Sequence, residues 1–210
     1  MRGARTIFLA RHGERQDADP KWRETAENPL DPDLSAMGIE QARRLARRIA
    51  GESIDHLICS PFLRTLHTAH HCAMATGLGI HVENGVAEQR EPSWLPSGEY
   101  PPFPSLKERA AVFPMIDKGY KSMFTPAEPE PEGHPRICER AAHIIGLLTD
   151  RFPGNLLIVT HYAIVNTITL ALAGTLINGY IEVSSLTKIE GDSERWRLAL
   201  SADTAHLRNA

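Results

Sequence analysis

Arg11-His12-Gly13-Glu14-Arg15 sets an imidazole between two arginines, directly after the apolar run Ile7-Phe8-Leu9-Ala10. A short apolar run of this kind reads as a buried strand, and in open α/β sheets ligands bind beyond the carboxyl ends of the strands. Arginine is the side chain best suited to bidentate phosphate binding. The segment therefore reads as a phosphate pocket with a nucleophile-capable histidine inside it. Two further strand ends repeat the arrangement. After Ile54–Ile58 comes Cys59-Ser60-Pro61-Phe62-Leu63-Arg64-Thr65, with Arg64 in the first turn of an expected helix. After Leu156–Thr160 comes His161, at a strand end and helix start. Beyond a weak strand at 80–82, Glu88 stands in a loop that also holds Glu83, Glu91 and Glu99.

The elements that must hold these residues alternate. Short apolar strands are expected at 5–10, 54–58 and 155–160, with weaker ones at 80–82, 180–184, 186–190 and 195–200. Ser35 is an N-cap for a helix running to about residue 50. The stretch 61–76 opens with Pro61, tolerated in a first helical turn. Ile137, Ala141, Ile144, Ile145 and Leu148 repeat at helical spacing, and a last helix falls at roughly 162–173. Strands alternating with helices give an α/β fold, a three-layer α/β/α sandwich with a mostly parallel central sheet. Two stretches break the rhythm: 16–34, with Trp22 and the turn-rich Asn28–Pro32, and 89–134, with nine of the fifteen prolines. Loops this long inside one domain are functional covers or disordered. Trp94, Tyr100, Phe103, Phe113, Tyr120 and Phe124 make the second too aromatic for plain disorder. It reads as a cap inserted into a single domain covering residues 1–210, with the acidic loop Thr125–Gly133 at its end.

At 210 residues the chain is long enough for one full core. A net charge of -3 gives no global attraction to nucleic acid or to an anionic membrane, so an anion site must be local. No apolar run approaches the roughly 18 residues of a membrane helix. The N-terminus lacks a signal-peptide stretch, and the odd, widely spaced set Cys59, Cys72 and Cys138 fits a reduced compartment, so a cytoplasmic protein is expected. The cluster His67-x-x-His70-His71-Cys72 could share a helix face and ligate a metal. Without a partner carboxylate or HExxH motif, it reads instead as solvated or hydrogen-bonded histidines, and no metal or cofactor is expected. Isologous dimers are common among soluble enzymes generally, and on that prior alone a homodimer is one option for this chain.

Arg11-His12-Gly13-Glu14-Arg15, Ser60-Pro61-x-x-Arg64-Thr65-x-x-Thr68-Ala69, the loop glutamate and Thr160-His161 together resemble the histidine phosphatase superfamily, the phosphoglycerate-mutase-like enzymes. The similarity runs from Thr6 to the Asp203–Leu207 tail. Ile54-Asp55-His56, Cys59-Ser60-Pro61 and Val82-Glu83-x-Gly85 narrow it. They resemble the branch holding the phosphatase domains of the suppressor-of-T-cell-receptor-signalling proteins and the insect steroid-phosphate phosphatases. The resemblance departs at His67, where the family commonly has glutamine, and at Gln89, where the nearest relatives often carry tryptophan.

The resemblance implies roles that the side-chain chemistry suits. His12 attacks phosphorus and becomes a phosphohistidine. Arg11, Arg15, Arg64 and His161 surround the transferring group, because phosphoryl transfer is mostly positioning and electrostatics. Glu88 protonates the leaving alkoxide and then takes a proton from the attacking water. Burial raises its pKa and neighbouring arginines lower it. Each residue has a plainer alternative: His161 as a core histidine, Arg15 as one partner of a surface salt bridge. The expected activity is a metal-independent phosphatase acting on a small-molecule or protein phosphomonoester. The insert's rings suit an apolar leaving group, or they pack the insert's own small core. A phosphoglycerate-type mutase and a non-catalytic phospho-ligand-binding or assembly subunit are the alternatives.

Overall fold

A computed structural model describes residues 5–91, 93, 103–125, 132–192 and 195–208. Six strands form one sheet: β1 (Arg5–Arg11), β2 (His56–Cys59), β3 (Ile80–Val82), β4 (Leu156–Thr160), β5 (Leu186–Gly191) and β6 (Trp196–Asp203). Their order is β3-β2-β4-β1-β5-β6. The first four are mutually parallel, and β5 runs against both β1 and β6. The three-layer sandwich with a mostly parallel sheet is thus the observed fold.

Successive side chains of a strand point to opposite faces, and here both faces are apolar. Phe8, Ala10, Leu57, Cys59, Leu157 and Val159 meet the helices α2 (Ala36–Ile49) and α3 (Leu63–Thr76) on one side. Ile7, Leu9, Ile58 and Ile158 meet α5 (His134–Arg151) and α6 (Tyr162–Ala173) on the other. The Ser35 hydroxyl accepts from Gly38 N at 3.0 Å and caps α2 as expected. Two short helices, α1 (Trp22–Thr25) and α4 (Leu106–Val112), lie in the two irregular stretches. No helix among the described residues is long and apolar enough to cross a membrane.

Two strand expectations need correction. The strand expected at 54–58 begins only at His56, because Asp55 is drawn into a polar knot: its carboxylate accepts from Asn155 N at 2.7 Å. Asn155 in turn accepts from Thr6 N and donates to Ser53 O. The strand then runs through Cys59, which puts Ser60 at its mouth. The stretch 180–184 is a turn rather than a strand. Ser184 adopts a left-handed φ of 55° and donates its N–H to the His12 carbonyl at 3.0 Å. The chain must cross the end of β1 before β5 pairs with it at Leu186, and β-branched composition does not reveal that need.

The described part of the 89–134 stretch divides its aromatic residues. Phe113 and Tyr120 are buried in the two cores. Residues 115–117 extend the exposed margin of the sheet, with Ile80 N bonded to Met115 O and Asp117 N to Ile80 O. Covering β3 in this way removes an open edge. Phe103 instead stacks near Phe62, at 6.2 Å between centroids. Trp94, Tyr100 and most of the Thr125–Gly133 loop lie outside the described residues.

Candidate active site

His12 follows β1 and is 2 % exposed. Its N–H bonds to the Thr160 carbonyl of neighbouring β4, which sets the two strand ends in register. The loop beyond it presses on α2: a Cβ added to Gly13 would lie 2.6 Å from the Gly38 carbonyl, and one on Gly38 would overlap the Glu14 carbonyl. Glycine at both positions is therefore a packing requirement. Glu14 N donates to Gln41, the Glu14 carboxylate accepts from the Ser35 hydroxyl, and the Glu14 carbonyl accepts from Ser35 N. The His12 backbone is held on both sides.

The His12 ring is oriented by its Nδ1, 2.7 Å from the Gly13 carbonyl. A carbonyl can only accept, so Nδ1 carries the proton and Nε2 carries the lone pair. Burial, then the charges of Arg64 and Arg11, hold the imidazole neutral well below the usual histidine range. His161 directly precedes α6, with its ring centroid 5.3 Å from that of His12 in an edge-on arrangement. Its Nε2 lies 2.7 Å from the Ser60 hydroxyl. Burial and Arg64 depress its pKa as well.

Arg64 sits in the first turn of α3 and is 5 % exposed. Asp31 lies 3.7 Å from one of its terminal nitrogens. Asp31 also accepts from Leu63 N at 3.0 Å and pairs with Arg109 of α4. Burial lowers the Arg64 pKa to about 10, so it remains a cation at neutral pH. Arg11 donates to the Ile181 carbonyl at 2.6 Å and to the Tyr180 hydroxyl at 3.0 Å, with its guanidinium over the rings of Tyr162 and Tyr180. Arg15 is half-exposed and ion-paired with Asp17 at 2.8 Å, close enough to depress the Arg64, His12 and His161 pKa values.

Glu88 lies in the loop that follows β3. One carboxylate oxygen accepts from Gln89 N at 3.0 Å, and the other is 3.6 Å from His161 Nδ1. Burial raises its pKa, while Arg64, Arg11 and Arg15 pull it back. Both opposing effects expected from the sequence operate, and burial is the larger. Glu83 is a different kind of carboxylate. It is fully buried and accepts from Tyr120, Ser122, Gly85, Met123 and Phe124. Its lone pairs are spent on fastening the loop.

All six sequence-selected residues thus stand at one end of the sheet, where buried Arg11 Nε, Arg64 Nε and His161 Nδ1 make no hydrogen bond among the described residues. Buried guanidinium donors left unmatched are costly, and the charged N–H groups of Arg11 and Arg64 are of the kind that bind phosphate oxygens. Sequence reasoning missed Asp31, Arg109 and Arg140, and it named Thr68 within the Ser60–Ala69 motif without giving it a role. Thr68 accepts from Gly13 N at 3.1 Å and donates to the Arg64 carbonyl, joining the His12 loop to the Arg64 helix. A signal for Thr68 was present in the Thr65-x-x-Thr68 spacing; Asp31 and Arg140 carry none. The histidine cluster stands apart: His67 bonds Asp33 at 2.9 Å and stacks on His71. Among the described residues no group of three or more His, Cys, Asp or Glu is arranged to hold a metal ion.

Residues 7–204 match the family model of the histidine phosphatase superfamily, branch 1. The chain belongs to that superfamily. It is 32% identical over 102 residues to "Probable phosphoglycerate mutase GpmB" of Proteus mirabilis, covering 44% of this chain and 45% of the relative. It is 33% identical over 90 residues to "Phosphoserine phosphatase 1" of Hydrogenobacter thermophilus, covering 42% and 40%. Both alignments span less than half of the relative's length. The fold matches, at a TM-score of 0.76 and 20% identity, the crystal structure of an ecdysone phosphate phosphatase from Bombix mori in complex with tungstate, over 98% of this chain and 96% of that one. Phosphatases and mutases thus share this family's fold.

Proposed function

We propose that this histidine phosphatase hydrolyses phosphomonoesters through a phosphohistidine on His12. The observation that carries the reading is the 2.7 Å contact from His12 Nδ1 to the Gly13 carbonyl. It commits the Nε2 lone pair to the pocket in a ring that burial keeps unprotonated. Nε2 attacks phosphorus, the P–O bond to the leaving group breaks, and Glu88 gives that oxygen its proton. Glu88 then takes a proton from water, whose oxygen attacks phosphorus, and the P–N bond returns its electrons to Nε2. Arg11, Arg64 and His161 stabilise the charge spread over the transferring oxygens, and Arg15 adds to the field from the rim. A Glu88 pKa raised by burial suits a carboxyl that must be protonated in one half-reaction and ionised in the other.

The Tyr162–Tyr180 pair beside Arg11, and Phe103 leaning on Phe62, give the leaving group apolar surface. Phe62 itself stands 5.7 Å from the His161 ring. This favours hydrolysis of an aromatic or otherwise apolar phosphomonoester over a mutase reaction on a small, highly anionic one. The test is turnover of p-nitrophenyl phosphate at pH 5 to 8 with chelator present, for the native chain and His12→Ala. Chelator-resistant activity that drops at least about a thousandfold in the variant is expected from loss of a covalent nucleophile. Full activity in His12→Ala would sink the mechanism, and a native protein active only with bisphosphoglycerate would indicate the mutase.

A further inference from the structure

Arg140 of α5 is 7 % exposed and spends its guanidinium entirely on one loop and its flank. Its Nε and Nη2 donate to the two Glu132 carboxylate oxygens, each at 2.6 Å. Its Nη1 donates to the carbonyls of Gly85 at 2.7 Å and Ala87 at 2.9 Å, and Nη2 reaches the Glu88 carbonyl at 3.4 Å. Glu132 continues the brace past Glu88: its N–H donates to the Arg90 carbonyl at 2.8 Å, and its carbonyl accepts from the Gln89 side chain at 2.9 Å. On the other side, the Thr160 hydroxyl donates to the Val86 carbonyl at 2.6 Å, next to His161. Glu88 therefore hangs on a segment whose carbonyls, before and after it, are fixed by one buried ion pair.

We infer that the Arg140–Glu132 pair is the positioning device of the acid/base carboxylate: it sets where Glu88 stands relative to His12 and His161 without touching the reacting atoms. The inference rests on the reading of Glu88 as general acid and base. A buried ion pair adds little net stability over an apolar pair of the same volume. What an apolar pair cannot supply is a rigid fork of donors aimed at three carbonyls of one loop. Lysine would keep the charge and lose the fork.

The experiment compares kcat/KM for phenyl phosphate and p-nitrophenyl phosphate in wild type, Glu88→Gln, Arg140→Lys and Glu132→Gln, with melting curves for each. Both substrates present similar surfaces, but p-nitrophenolate leaves without a proton and phenolate does not. Loss of the general acid in Glu88→Gln should lower kcat/KM about a hundredfold for phenyl phosphate and far less for p-nitrophenyl phosphate. Arg140→Lys and Glu132→Gln should show the same skew at about tenfold on phenyl phosphate, the scale of a carboxyl displaced by a fraction of an ångström. Glu132→Gln preserves volume and reports if Arg140→Lys fails to melt cooperatively. Equal losses on both substrates in these two variants, or none, would overturn the inference. An unskewed Glu88→Gln would overturn the underlying reading of Glu88 instead.

Discussion

The two sides of the candidate site are built by different means. His12, Arg64 and His161 stand at strand ends or in first helical turns, where buried β1, β2 and β4 deliver them and Gly13, Thr68 and Ser60 lock them. Glu88 and Arg15 stand in loops outside the sheet and the long helices, and an ion pair braces each: Arg140 with Glu132 beside the first, Asp17 with the second. In the proposed reaction the first side carries the charge-stabilising groups, and it is held by burial. The second supplies protons and field, and it is held by its polar contacts. The difference predicts unequal sensitivity to substitution.

The largest effect should come from the buried side. Arg64→Ala removes a cation that is 5 % exposed and surrounded by low-dielectric packing. Its kcat/KM for p-nitrophenyl phosphate should fall about 10²–10³-fold, the scale of losing one preorganised charge-stabilising group. Arg15→Ala removes a half-exposed, solvent-screened partner of Asp17 and should cost less than about tenfold. Equal losses in steady-state kinetics would erase the distinction between the two sides.

What the sequence made legible follows the same division. Apolar runs ending in Arg11, Ser60 and His161 are local patterns, so strand, strand end and chemistry could be read together. Helix α2 was readable from its Ser35 cap, which the fold uses. The braces were not readable, because Asp31 lies 32 residues from Leu63, and Arg140 lies 52 from Glu88. An ion pair formed across such separations leaves no period in the chain. The turn at 180–184 was missed for a related reason: Ser184 takes its left-handed conformation to serve the His12 carbonyl, a tertiary demand that overrides local preference. The aromatic residues at 103–124 showed that something there packs, but not that Phe113 and Tyr120 would be spent on the two cores.

Two helical glycines differ in what surrounds them, and only one of them packs against the His12 loop. Alanine for glycine within a helix ordinarily stabilises by about 0.5–1 kcal/mol. A Cβ added to Gly146 in α5 would meet nothing within 4 Å, so Gly146→Ala should raise the melting temperature. Gly38 stands in the first turn of α2, where a Cβ would overlap the Glu14 carbonyl. Gly38→Ala should therefore reverse the sign, costing about 1–3 kcal/mol by overpacking, and kcat should fall with it because the displaced loop carries His12. Two stabilising alanines in chemical denaturation would remove the packing argument.

The smallest expected effect tests the electrostatics of the buried side directly. Burial and Arg64 depress the His12 pKa in the folded protein, whereas the unfolded chain titrates near the ordinary value of about 6.5. Below about pH 6.5 the unfolded state therefore binds a proton that the folded state refuses, and folding stability drops as pH falls toward the lower folded pKa. His161 acts in the same direction, while the raised pKa values of Glu88 and Asp31 act in the opposite one, each favouring the folded state as pH falls. Comparing wild type with His12→Asn removes the shared contributions and isolates one imidazole. The stability advantage of wild type over His12→Asn should shrink between pH 6.5 and 5 by at most about 1.4 kcal/mol per pH unit, the limit for one proton. Urea denaturation at each pH measures it. A gap that stays constant over that window would mean the two states bind equal numbers of protons at His12, and a gap that widens on acidification would mean the folded protein holds His12 charged, leaving no lone pair for attack on phosphorus.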